Sequence, residues 1–254
     1  MEYFLTEEQQ MIQEIAEKIA TEKVRPVRAE LDESEEFPWE IMKVLAQSDL
    51  FGVYLPEEYG GLGGGVLENC LAIEEMGRAC IAVATTFAAS GLGAYPILLF
   101  GSEEQKQKYL PPIASGEKLA AFGVTEAGAG SDAGGIQTTA KRDGDHYILN
   151  GTKQWITNAG EAEIYTVVAI TDRSKGARGA SAFIVEKGDS GFSFGKKEKK
   201  MGLRASATRE LLFNDCRIPA DRLINREGTG FIVTMKTFDV SRPGIGALAV
   251  GLCQ

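Results

Sequence analysis

The hydrophobic period of this chain changes twice, and those two changes limit the fold more than any single motif does. From Thr6 to about Leu110, apolar residues recur every three to four positions, the spacing of helices that bury one face. Between Lys118 and Pro219 the period drops to two, in runs of strand length broken by short turn-rich gaps. After Glu227 the helical period returns and holds to Gln254. A chain patterned this way reads as an α+β multidomain protein. The expected parts are an all-helical N-terminal domain at 1–117, a middle antiparallel β-barrel or sandwich at 118–222, and at 223–254 the first helix of a C-terminal helical bundle.

Local signals refine this outline. Thr6-Glu7-Glu8-Gln9 has the pattern of a capping box, and Ile12, Ile15, Ile19 and Ala20 follow as one apolar face. Pro26 should interrupt that helix, and Pro38 suits the first position of the next, ahead of Ile41, Met42 and Leu45. "LPEEYGGLGGG" (Leu55–Gly65) is a loop by composition, helices resume at Val66 and after Ser102, and Pro111-Pro112 should stop the last of them. Ala79 to Ser102 holds no charge and is long enough to span a bilayer, but Ala, Thr, Ser, Gly and Pro96 give it little transfer energy. A buried core helix followed by a turn fits better. Asp143-Gly144 marks a hairpin turn, and the run "KKEKK" (Lys196–Lys200) reads as a solvated hairpin tip. In the last helix Phe231, Met235, Phe238, Ile245 and Leu248 should face one way.

A net charge of -9 argues against nucleic acid or an anionic membrane surface as the main partner. The four cysteines have no framework spacing and no signal peptide follows Met1, so reduced thiols and a cytoplasmic location are expected. No metal site is expected. His146, the only histidine, directly follows the hairpin turn and reads as exposed and non-catalytic.

The densest small-residue stretch is "TEAGAGSD" (Thr125–Asp132), and Gly128 to Ala133 satisfies the dinucleotide pattern G-x-G-x-x-A. That pattern places a pyrophosphate only when it opens a helix, and the residues after Ala133 alternate as a strand, so a nicotinamide dehydrogenase rests on nothing else here. The glycines of Leu55–Gly65 lack a following Lys-Ser or Lys-Thr and make no Walker loop. What remains is either a phosphate cradle of clustered backbone amides with Ser131 as an added donor, or a glycine-rich turn between strands.

Four motifs in order decide between them: "AFGVTEAGAGSD" (Ala121–Asp132), "LNGTKQWITNAG" (Leu149–Gly160), "KKMGLRASATRELLFNDCRIP" (Lys199–Pro219) and "FDVSRP" (Phe238–Pro243). With them the chain resembles, over its whole length, the acyl-CoA dehydrogenases. The resemblance implies FAD as cofactor and α,β-dehydrogenation of an acyl-CoA thioester, with α-proton abstraction and β-hydride transfer to flavin N5. It also implies electron-transferring flavoprotein as acceptor and a homo-oligomer, tetrameric in the family. By position, Phe122, Val124 and Thr125 line the isoalloxazine, Gly128, Gly130 and Ser131 follow the ribityl and phosphates, and Trp155, Ile156 and Thr157 close the other side. Ser131, Asp239, Arg242 and Arg204 are the implied substrate contacts, Asp239 and Arg242 being three apart on one helix face.

Two positions depart from the family pattern: Ala127 stands where proline is usual, and Phe122 where tyrosine is common. The family's catalytic glutamate lies in a further helical domain or, in a minority, two residues after the aspartate of D-x-x-R; that position is Ser241 here. No catalytic base is therefore expected in this chain. The expectation is a shortened form of a normal dehydrogenase, with a natural two-polypeptide enzyme as the alternative. A non-catalytic acyl-CoA or flavin-binding module is the rival function. The helix around Cys80 to Leu98, which by resemblance lines the acyl pocket, offers no cation, so the expected acyl chain is uncharged rather than glutaryl.

Overall fold

The computed structural model describes residues 4–254. The helical part opens with α1 (Glu7–Ile19), whose N-terminus carries the expected reciprocal Thr6–Gln9 cap, and continues as one π-helical stretch, Ala20–Val24. Short α2 (Arg28–Ser34) begins after the turn at Pro26. Helix α3 (Trp39–Gln47) starts one residue after Pro38, which caps it from outside. Helices α4 (Val66–Ala79), α5 (Ile81–Phe100) and α6 (Glu103–Ala114) complete the layer.

Two local expectations shift. The buried stripe of α1 and the π-helical stretch after it is Ala16, Ile19, Ala20 and Val24, while Ile15 is turned outward. Alanine at 16 lets α1 lie close to α4, and the bulkier isoleucine sits beside the contact. α5 keeps Pro96 inside it and runs on to Phe100 because the surrounding elements enclose it. Pro111 and Pro112 lie inside the last turn of α6, where buried Leu110 and Ile113 hold the chain helical to Ala114. α5 is long and apolar enough to cross a membrane, and most of it is enclosed by the fold.

The β part comprises β1 (Ala120–Gly123), β2 (Thr139–Asp143), β3 (His146–Thr157), β4 (Ile164–Ile170), β5 (Ala180–Glu186), β6 (Phe192–Phe194), β7 (Thr208–Pro219) and β8 (Leu223–Ile224). The sheet order is β6-β7-β3-β2-β4-β5-β8, with β1 pairing β4 off that path. Most ladders are antiparallel, but β1 and β2 both run parallel to β4. Gly123 pairs Val167 and Thr139 pairs Ile170, so β1 and β2 follow one another along the same edge of β4. The glycine-rich loop is thus an excursion from an almost continuous strand path. Lys196–Lys200 lies in the extended connection from β6 to β7, where Glu198 N–H donates to Thr208 O at 2.9 Å.

Helix α7 (Gly230–Cys253) crosses α4 and α5. Its large residues do not all face one way: Leu248 is buried, Ile245 is 55% exposed, and Phe231, Met235 and Phe238 turn toward the loop. The contact is made by small residues instead, because the helices meet backbone to backbone. A Cβ on Gly251 would lie 2.1 Å from Glu74 O, and one on Gly77 2.7 Å from Leu248 O. The same economy seats α5 on β1, where a Cβ on Gly93 would stand 2.5 Å from Ala121 N. Gly93→Val is expected to destabilise the fold by about 3 kcal/mol. A chemical denaturation midpoint unchanged from the parent would show that this contact tolerates a side chain.

Candidate functional site

The loop that leaves β1 begins with a tight turn in which Glu126 and Ala129 exchange backbone hydrogen bonds of 3.1 and 3.0 Å. Beyond it the amides of Gly130, Ser131 and Asp132 donate to no acceptor among the described residues. Internal packing does not require glycine here: a Cβ built on Gly128 or Gly130 meets nothing within 4 Å, and neither residue has a left-handed φ. Open amides, open space and the exposed Ser131 hydroxyl form a cradle suited to anionic oxygens. The loop turns back at Asp132, whose carbonyl accepts from Gly135 N–H at 3.0 Å.

Beneath the loop lies an ion pair. Lys153 on β3 is fully buried, and its Nζ donates to Glu126 Oε1 at 2.7 Å and to Val124 O at 3.1 Å. Glu126 also accepts from the backbone of Gln137 at 2.6 Å and Thr138 at 3.0 Å. Burial drives Lys153 down to about 8 although Glu126 opposes it. Burial pushes Glu126 up, but hydrogen bonds from Lys153 and Thr138 outweigh it and hold the carboxyl below its ordinary 4.5. A carboxyl depressed in the folded state contributes stability above its unfolded value and loses it as pH falls through the folded one. The melting-temperature gap between the parent and Glu126→Gln should therefore be widest near neutrality and shrink below about pH 4. Thermal melts across that range test it; a gap constant into acid would contradict the assignment.

Strand β3 passes close by, since Gln154 N–H donates to Thr125 O at 2.8 Å. Lys153 pairs Leu211 while Ile156 pairs Arg209, so β3 carries one extra residue, a bulge. Within it Trp155 takes a left-handed φ of 57° and projects outward, 55% exposed. The bulge restarts the alternation, so the Ile156 side chain enters the core and could offer a ligand only its backbone. Thr157 opens onto a pocket. Phe122 is buried with its ring edge-on to Phe238 at 6.0 Å, Val124 is buried, and Thr125 is half-buried.

Two cavities meet this seam. A cleft of about 450 Å³ is walled by Gly130, Ser131, Phe231, Met235, Phe238 and Arg242, bringing together Ser131 and Arg242, whose guanidinium lies 5.0 Å over the Phe238 ring. Asp239 stays outside it and pairs at the surface with Lys236 at 3.2 Å, not with Arg242. Arg204 is also elsewhere. Its Nε donates to Asp32 O at 2.8 Å and its Nη2 pairs with Glu35 at 3.0 Å, anchoring the end of α2, because the β6–β7 connection crosses to the helical layer there.

The second cavity, about 90 Å³, lies between α4, α5, α7 and Thr157. Its inner end is shut by buried Asn69 and Tyr95, joined by a 3.2 Å hydrogen bond, and its outer end passes Ser241 and exposed Ile245. Among the described residues that line it, none is charged. His146 is half-buried rather than exposed, held by Asp145 and by Arg217 at 3.2 Å. All four cysteines are free, and among the described residues no cluster could hold a metal.

Glu126, Lys153, Asn158, Asn69 and Tyr95 carry much of this geometry and were not singled out from the sequence. One signal was available for Lys153: it falls on the buried phase of β3, in step with Tyr147 and Leu149.

The architecture defines a class, a helical layer docked on a mixed β-sheet with a loop cradle, a cleft lined by Arg242 and Asp132, and an apolar pocket at their seam. Known families specify it further. Residues 6–117 match the model of the acyl-CoA dehydrogenase N-terminal domain, and residues 121–216 that of the acyl-CoA dehydrogenase middle domain. The chain belongs to the acyl-CoA dehydrogenase family. It is 46% identical to a short-chain-specific acyl-CoA dehydrogenase of Clostridium acetobutylicum, over 100% of this chain and 67% of that protein. It superposes on butyryl-CoA dehydrogenase from Megasphaera elsdenii with a TM-score of 0.96 and 44% identity, over 99% of this chain and 67% of that one. An acyl-CoA dehydrogenase from Bacillus anthracis complexed with FAD aligns at 0.89 with 40% identity, over 97% of this chain and 42% of its own length. The chain thus spans about two thirds of the first two proteins.

Proposed function

We propose that this chain forms the FAD- and thioester-binding part of an acyl-CoA dehydrogenase acting on a short, uncharged acyl group. The observation that carries the reading is one juxtaposition. Three free amides and the Ser131 hydroxyl share a seam with the Arg242 cleft, and Thr157 follows the bulged Trp155 into an apolar pocket. Gly128, Gly130 and Ser131 would hold the FAD phosphates; Thr125, Trp155 and Thr157, with the Ile156 backbone, would border its ring. FAD, when bound, supplies the two-electron acceptor for hydride from the acyl β-carbon.

The chain's own groups do the rest. The cradle amides and Ser131 neutralise anionic oxygens without a cation, and Arg242 braced on Phe238 meets the phosphorylated end of CoA. The pocket is small, about 90 Å³, which suits a short acyl chain. Its uncharged walls disfavour a carboxylate such as glutaryl's. An α-proton must leave to a carboxylate, and the described lining has Ser241 but no carboxylate, so we propose that the base reaches the pocket from another segment. We read 1–117, 118–222 and 223–254 as the domain division. We also read the working protein as a cytoplasmic homo-oligomer, a tetramer by family membership, that reduces an electron-transferring flavoprotein.

The test is anaerobic titration of the FAD-saturated protein. A protein-bound visible flavin band, perturbed by butyryl-CoA and far less by glutaryl-CoA, is expected, with bleaching only when the base-bearing segment is supplied. Preferred turnover of glutaryl-CoA would refute the uncharged pocket, and no bound flavin would refute the whole reading. Thioester binding without bleaching is the result expected of a chain without its base; if bleaching stays absent with the base-bearing segment supplied, a non-catalytic binding module is favoured instead.

A further inference from the structure

The Lys153–Glu126 pair has no role in the chemistry above, and stability alone does not explain it. Desolvating two charges offsets most of their attraction, so apolar residues of similar volume commonly serve a core as well. Its placement is more informative. One ammonium and one carboxylate collect four hydrogen bonds from three places: the exit of β1 at Val124, the return of the loop at Gln137 and Thr138, and strand β3. Between Glu126 and Gln137 the loop's own backbone hydrogen bonds are only the Glu126–Ala129 exchange and Gly135 to Asp132. Its shape is therefore imposed mainly at its ends. Lys153 is also the last paired residue before the bulge that turns Trp155 outward.

We propose that this buried pair is a positioning element that draws both ends of the loop together and ties them to the Trp155 bulge, setting the spacing between the amide cradle and the indole. The proposal rests on reading that loop as the FAD cradle. Nothing in it requires Lys153 or Glu126 to touch the ligand. Because the pair sits in the core, losing one partner strands the other charge, whereas neutralising both removes the tie without that penalty.

The variants that test it are Lys153→Met and the double variant Glu126→Gln/Lys153→Met, each in the full 254-residue chain. Three measurements apply: amide hydrogen exchange, thermal melting and equilibrium FAD binding followed by its visible band. Exchange of the bonded loop amides, those of Ala129, Gly135, Gln137 and Thr138, should accelerate by about tenfold or more in both variants while β4 stays protected. The double variant should melt near the parent temperature. Its Kd for FAD should still rise by about tenfold. If the single variant fails to fold, the double variant carries the test. Parental exchange rates in the loop overturn the proposal, as does a double variant that recovers melting, slow exchange and FAD affinity together, since the pair would then be packing only. Accelerated loop exchange with no FAD uptake even by the parent would support the tie and overturn the cofactor reading.

Discussion

Asn158→Leu is expected to lower stability by about 3–5 kcal/mol. Asn158 directly follows β3, fully buried, with a left-handed φ of 65°. Its Nδ2 donates to Thr86 O on α5 at 2.9 Å and to Ala120 O on β1 at 3.4 Å, while its own N–H donates to Ala207 O at 2.9 Å. One short side chain thus joins the helical layer to the sheet immediately after Thr157. Leucine would lose both side-chain hydrogen bonds, worth about 1–3 kcal/mol where a buried group is left unpaired. It would also sit in a backbone region that costs a branched residue about 1–2 kcal/mol. Asn158→Gly separates the two terms, since glycine removes the backbone penalty and keeps the hydrogen-bond loss. Urea unfolding should rank the parent above glycine and glycine above leucine. Equal midpoints for the parent and leucine variants would show that the bridge contributes nothing.

The second large effect concerns selectivity. Tyr95 and Asn69 close the inner end of the apolar pocket, and the Tyr95 ring packs at 5.0 Å against Tyr54. Tyr95→Ala opens the space beyond. For an acyl chain several carbons longer than butyryl, affinity relative to butyryl-CoA should rise by about 10- to 100-fold, because each added methylene gains burial that the parent denies it. The same change should cost about 3–5 kcal/mol of stability through the cavity and the unpaired Asn69 amide. Tyr95→Phe is the control, keeping the wall and removing only the hydroxyl, so it should leave chain-length preference intact. Competition binding of butyryl-CoA and octanoyl-CoA to the FAD-saturated protein measures the ratio. A ratio unmoved by alanine would mean that the pocket is bounded elsewhere.

The same logic separates what could and could not be read in advance. The Thr6–Gln9 cap is legible because its partners are three residues apart and the geometry is local. The prolines of α6 were misjudged because their helix-breaking effect is local, whereas the packing that overrides it comes from distant elements. The face of α7 was misassigned for a related reason: periodicity favours large side chains, but a backbone-to-backbone crossing selects Gly251, opposite Glu74 and near Gly77. Arg204 shows the limit of motif reading, since its position in the motif does not reveal that it faces α2.

Sequence alone determined the order of helical and β segments, the loop that bears the cradle, and the family, because period, caps and ordered motifs are properties of neighbours along the chain. Only the folded molecule decided that Lys153 and Glu126 share one buried site, that a bulge turns Trp155 out and Ile156 in, and that Asn69 with Tyr95 ends the pocket. Those are contacts between residues 26 or more apart, or shifts of register between paired strands. A linear pattern carries no record of which distant partner a strand or side chain will meet.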